Sequence, residues 1–78
     1  MDISEEIFIA NLGIHIRQLR EKKNMSQRDL ANDSNITKSL IGRIERAEVN
    51  TTVKSLIKIA NALNIEFKEL IDFPLKEK

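Results

Sequence analysis

Few side chains in this sequence suit chemistry on a substrate. His15 is the single histidine, cysteine is absent, and no Ser/His/Asp set, paired-carboxylate cleft or metal-ligand spacing accompanies it. The pattern argues against an enzyme, a metal or a cofactor. His15 reads as a residue of a helix surface or rim, and the pairs Glu5/Glu6 and Glu66/Glu69 as solvated helix positions. What remains is charge, which is unevenly spread. Residues 1–13 carry three acids and no base, residues 14–46 carry eight bases against four acids, and residues 47–78 carry five of each, so a net charge of +1 conceals a basic middle. A basic middle suits a polyanion partner, with an unevenly charged solvated surface as the competing reading.

The elements that must position these bases are helical. Glycine and proline are scarce and no stretch alternates β-branched or aromatic residues with polar ones, so strands are not expected. A first helix is predicted over residues 4–23, with Ser4 as N-cap, acids in its first turn, and Ile9, Leu12, Ile16 and Leu19 as an apolar stripe. Lys22 and Lys23 suit its C-terminal end, and Asn24 can adopt the left-handed conformation that stops it. Met25 then enters the core. The next stretch, SQRDLANDSNITKSLIGRIER (residues 26–46), holds two amphipathic segments of only about two turns each. Isolated helices that short are marginal in water, so other elements must hold them. They are predicted over residues 27–33, capped by Ser26 and burying Leu30 and Ala31, and over 38–46, capped by Thr37 and burying Ile41, Ile44 and Glu45. Asn35 supplies the turn and Ile36 returns to the core. A fourth helix begins at Thr52, buries Val53, Leu56, Ile59, Ala60 and Leu63, and stops at Asn64. A fifth, over 66–71, offers Phe67, Leu70 and Ile71.

Seventy-eight residues without cysteine are expected to form one domain, 1–78, close to the lower size at which an apolar core suffices without staples. The start MDISEEIFIA has acids where a secretory signal has bases, and no apolar run approaches the length of a membrane span, so a cytoplasmic protein with no membrane partner is expected.

Two short helices joined by a tight turn, set against basic residues, match the geometry that presents a helix to the DNA major groove. Gln27, Leu30-Ala31, a turn residue at Asn35, Ile36-Thr37, Ile41, Ile44-Glu45 and then Val53, Leu56, Ile59-Ala60 and Leu63 closely resemble the phage Cro/repressor (xenobiotic-response-element type) helix-turn-helix family over about residues 12–71. The resemblance implies an all-α, compact five-helix repressor-like domain, with the motif at about 27–46. It implies that double-stranded DNA is the partner, with Lys38, Ser39 and Arg43 at base edges, where lysine or arginine suits guanine and serine either donates or accepts. Leu40 is placed either against a thymine methyl or partly in the core. Gln27, Thr37, Arg46, Asn50, Thr51 and Lys54 are implied to meet the backbone. Arg20 and Glu45 match a pairing that locks the reading helix to the scaffold.

The sequence departs from the family at Asn35, where glycine is usual. Gly42, inside the third helix, reads as a site of close DNA approach, and Gly13 as one of close helix packing. The resemblance further implies a homodimer on a palindromic operator with half-sites about 34–36 Å apart. Apolar residues left over from the core, Ile57, Phe67, Ile71 and Phe73 within a dimerisation region at about 57–75, are the interface candidates, with Phe73 alternatively closing the core. Controller proteins of restriction-modification systems and small phage or plasmid repressors are the nearest functional types. A rival reading is an antitoxin or a regulator's partner acting through protein contacts, for which the segment KELIDFPL (residues 68–75) is suited. Lys38, Arg43 and Gln27 favour DNA.

Overall fold

The computed structural model describes residues 2–76 and is built of five helices among them. Helix α1 spans Glu5–Lys22, α2 Gln27–Ser34, α3 Lys38–Glu45, α4 Val53–Leu63 and α5 Phe67–Leu70. Local chemistry sets these ends. The hydroxyls of Ser4, Ser26, Thr37 and Thr52 each accept from the backbone N–H three residues on, which removes an orphan donor from the start of α1, α2, α3 and α4. At Ser26 the cap is reciprocal, because Asp29 Oδ2 accepts the Ser26 N–H at 2.8 Å. Asn24, Asn35 and Asn64 follow α1, α2 and α4 in the left-handed region, at φ 57°, 58° and 57°. Asparagine tolerates that conformation better than most residues, so Asn35 makes the turn without glycine.

Packing gives the short helices their support. Helix α2 packs on α3 and α4, α1 on α3 and α5, and α4 on α5. The core gathers Leu12 and Ile16 of α1, Leu30 and Ala31 of α2, Ile36 of the turn, Ile41 and Ile44 of α3, Leu56, Ile59, Ala60 and Leu63 of α4, and Leu70 of α5. Ile9, Leu19 and Met25 lie at its margin, half-buried. Val53 is a correction: expected in the core, it is 64% exposed, because the first residue of α4 projects beyond the buried stripe. Boundaries also shift by a residue: α2 continues to Ser34, α1 and α3 end at Lys22 and Glu45 with Lys23 and Arg46 as C-caps, and α5 is trimmed to Phe67–Leu70.

Helices α1 and α3 approach closely at Gly13. A methyl there would lie 2.6 Å from the carbonyl oxygens of both Ile44 and Glu45, so α1 touches the last turn of α3 backbone to backbone. In Gly13→Ala, a helix-propensity gain of about 1 kcal/mol is opposed by overpacking of about 1–3 kcal/mol against atoms that cannot rotate away. The expected outcome is a lower urea midpoint at unchanged slope; a midpoint at or above wild type would show that α1 and α3 separate freely.

After α3, Ala47 adopts φ 60°, the one left-handed residue among those described that is not asparagine. Its Cβ costs about 1–2 kcal/mol in that region, while glycine would give the unfolded chain about 0.4–1 kcal/mol more entropy to lose. Ala47→Gly is therefore expected to gain about 0.5–1 kcal/mol in denaturant melts, and a loss would count against the strain.

Candidate nucleic-acid interface

The helix-turn-helix comprises α2, the turn at Asn35 and α3. The outer side of α3 presents Lys38, Ser39 and Arg43, all exposed, while Leu40 is half-buried against the core. Thr37 Oγ1 caps α3 by accepting from Leu40 N–H at 3.2 Å, which leaves its own proton free to be donated. Beyond α3, Asn50 and Lys54 are exposed and Thr51 is half-buried. The structure thus gathers Gln27, Lys38, Ser39, Gly42 and Arg46 around one open groove.

Beneath α3 lies a buried polar network. Arg20 Nε donates to Glu45 Oε2 at 2.7 Å and Arg20 Nη2 to Glu45 Oε1 at 3.0 Å, a two-point pairing with side chains only 9% and 3% exposed. Arg20 Nη1 donates to the Met25 carbonyl at 2.7 Å, in the link between α1 and α2. Gln27 Nε2 completes the set, donating to Glu45 Oε1 at 3.1 Å. Glu45 therefore binds α3 to α1 and α2 at once. No buried side-chain nitrogen or oxygen among the described residues lacks a partner. The Glu45 hydrogen bond raises the Arg20 pKa above its ordinary value, against the opposing effect of burial, so the guanidinium stays charged.

Arg46 is held differently. Its Nε donates to Glu48 Oε2 at 2.8 Å and its Nη2 to Glu48 Oε1 at 3.4 Å, both side chains being about half exposed. That hydrogen bond raises the Arg46 pKa and lowers that of Glu48. Gly42, expected as a point of close DNA approach, lines the groove but is itself buried, and the Arg46 guanidinium lies beside the space its missing side chain leaves.

Sequence reasoning missed three contacts. Nothing in residue type announced the Arg46–Glu48 pair, although a base and an acid two apart at a helix end were visible. His15 Nε2 lies 2.8 Å from the Glu69 carbonyl, tying α1 to α5, and its partner is backbone, invisible to side-chain patterns. Asn11 Nδ2 donates to the Lys76 carbonyl at 3.0 Å, so the C-terminal tail crosses α1. Phe73 follows that tail and packs on Phe8 and His15, with ring centroids 5.2 and 5.1 Å away. Phe67 is half-buried on the core, whereas Ile57 and Ile71 are 47% and 40% exposed.

Comparison with known proteins agrees with this geometry. A helix-turn-helix family profile matches residues 16–70. Control protein C.BamHI of Bacillus amyloliquefaciens is 39% identical over 62 residues, which make up 78% of this chain and 76% of that protein. The HTH-type transcriptional regulator SutR of Escherichia coli is 38% identical over 63 residues, 81% of this chain but 35% of SutR. Among solved structures, the restriction-modification controller protein C.AhdI from Aeromonas hydrophila superposes with a TM-score of 0.78 at 37% identity, covering 80% of this chain and 94% of that one. The chain belongs to the helix-turn-helix family of transcriptional regulators.

The buried pair yields a stability test. Arg20→Ala or Glu45→Ala strands the partner charge and is expected to cost about 3–5 kcal/mol in denaturant unfolding. Replacing both by methionine removes both charges and should recover much of that loss. Equal destabilisation by the single and double replacements would show that packing, not the stranded charge, sets the cost.

Proposed function

We propose that this protein acts as a homodimer on a palindromic DNA operator and controls genes of a restriction-modification system, as its likeness to controller proteins over most of their length suggests. The observation that carries the DNA reading is the basic, exposed outer side of a short helix whose inner side is bolted to the scaffold through Glu45. In this reading Lys38, Ser39 and Arg43 contact base edges, with Leu40 at a thymine methyl. Gln27, Thr37, Arg46, Asn50, Thr51 and Lys54 meet phosphate and sugar. One helix-turn-helix spans only a few base pairs, so specificity calls for two copies about one DNA turn apart. The exposed Ile57 and Ile71, with the uncovered parts of Phe67 and Phe73, supply the apolar surface for a second copy, which places each α3 at one half-site. The setting is the cytoplasm, where the operator DNA lies.

Selection from a random duplex pool, repeated at two salt concentrations, tests this reading. The expected result is a palindrome with half-sites about one helical turn apart. On that operator Lys38→Ala and Arg43→Ala should each cost about 1–3 kcal/mol and relax preference at one position per half-site. Loss of equal size on every sequence would reassign the residue to the backbone, and a pool that enriches nothing would favour a protein partner.

A further inference from the structure

The glycine in α3 is not required by the backbone. Gly42 has no positive φ, and in a helix interior glycine is a poorer residue than alanine. A methyl added there would meet no backbone of another element: the nearest atoms are Arg46 Nη1 at 2.9 Å, Gln27 Oε1 at 3.5 Å and Arg46 Cζ at 3.6 Å. The closest obstacle is the far end of a flexible side chain. The fold would accept alanine; the Arg46 guanidinium would not stay where it is.

Arg46 is restrained from its other edge as well. Glu48 engages Nε and Nη2, and leaves Nη1 as the terminal nitrogen without a carboxylate partner. That nitrogen is the one lying over Gly42, in the groove shared by Gln27, Lys38 and Ser39. An arginine at a helix end otherwise has many rotamers to lose on binding, and fixing it beforehand reduces that loss.

We propose that Gly42 and Glu48 are positioning residues for Arg46. The vacancy at Gly42 and the grip of the Glu48 carboxylate hold the guanidinium across α3, so that Nη1 meets a DNA phosphate entering the groove beside Gln27, Lys38 and Ser39. This rests on the DNA-binding reading above and adds to it how the phosphate contact is prepared.

The test uses the selected operator, with duplex affinity measured by fluorescence anisotropy over a salt series, for wild type, Gly42→Ala, Arg46→Ala and the double variant. Thermal midpoints are recorded alongside. Gly42→Ala is expected to bind about tenfold more weakly, the loss of one charge-assisted hydrogen bond, while melting no lower than wild type. Its salt slope should fall by about 0.9, as for Arg46→Ala, and the double variant should bind no worse than Arg46→Ala alone. Undiminished affinity in Gly42→Ala overturns the proposal. So do additive losses, which would mean that the methyl itself obstructs DNA. Glu48→Gln removes an acid near DNA, which by charge alone tightens binding; the positioning role appears as a smaller gain, or a loss, when Arg46 is present than in the Arg46→Ala background. Equal gains in the two backgrounds overturn the role of Glu48. Wild-type protein that binds no duplex overturns the DNA reading and this one together, a result distinct from intact binding without coupling.

Discussion

The short helix α3 depends on one carboxylate. Glu45 takes two hydrogen bonds from Arg20 and one from Gln27, so the last turn of α3 is fastened to α1 and the first turn of α2 through the same two oxygens. An eight-residue helix does not hold itself together in water, and the apolar contacts it makes through Ile41 and Ile44 do not fix its rotation. Directional bonds to a buried carboxylate do. A bound ion pair of this kind is weak evidence for net stability, because desolvation consumes much of the attraction. Its value here is geometric: of the rotations α3 could take on the core, only those that pair Glu45 leave no buried charge stranded.

The same constraint explains Gly13. For Arg20 to reach Glu45 with two nitrogens, α1 must lie close to the last turn of α3, and the backbone of α1 meets the Ile44 and Glu45 carbonyls where Gly13 lacks a side chain. Arg20 also bonds the Met25 carbonyl, so the link into α2 is fixed by the residue that fixes α3. The relative placement of three helices thus follows from one arginine, one glutamate and one missing methyl. The remaining elements complete the core, with α4 packed on α2 and α5 on α4 and α1.

Much of this was legible because it is local or periodic. The four hydroxyl caps, the asparagines at helix ends and the apolar stripes of α1 to α4 depend on residues within a few positions of one another, and the sequence displays them directly. The class of the protein and the Arg20–Glu45 pairing came from resemblance, since nothing in composition joins residues 25 apart. What stayed hidden depends on the third dimension or on backbone. His15 bonds a carbonyl oxygen, which every residue possesses, and Ala47 takes a left-handed turn that alanine does not advertise. Val53 shows the limit of periodicity: it shares the spacing of the buried stripe, but spacing does not say where the core ends. Gly42 shows another, because a vacancy in sequence does not tell which neighbour fills it.

The two arginine–glutamate pairs near α3 divide the labour of the fold. Arg20–Glu45 is buried, joins distant segments and resists exchange with water or anions; Arg46–Glu48 is half exposed, joins near neighbours and contributes little to stability. A pair that must hold a scaffold and a pair that, under the proposed phosphate contact of Arg46, must meet a ligand have opposite requirements. The first has to be costly to break, whereas the second has to restrict a side chain while keeping a donor available to a newcomer. The chain meets both with the same two residue types by changing burial and sequence separation, so the chemistry of the exposed face of α3 can vary without loosening the element that carries it.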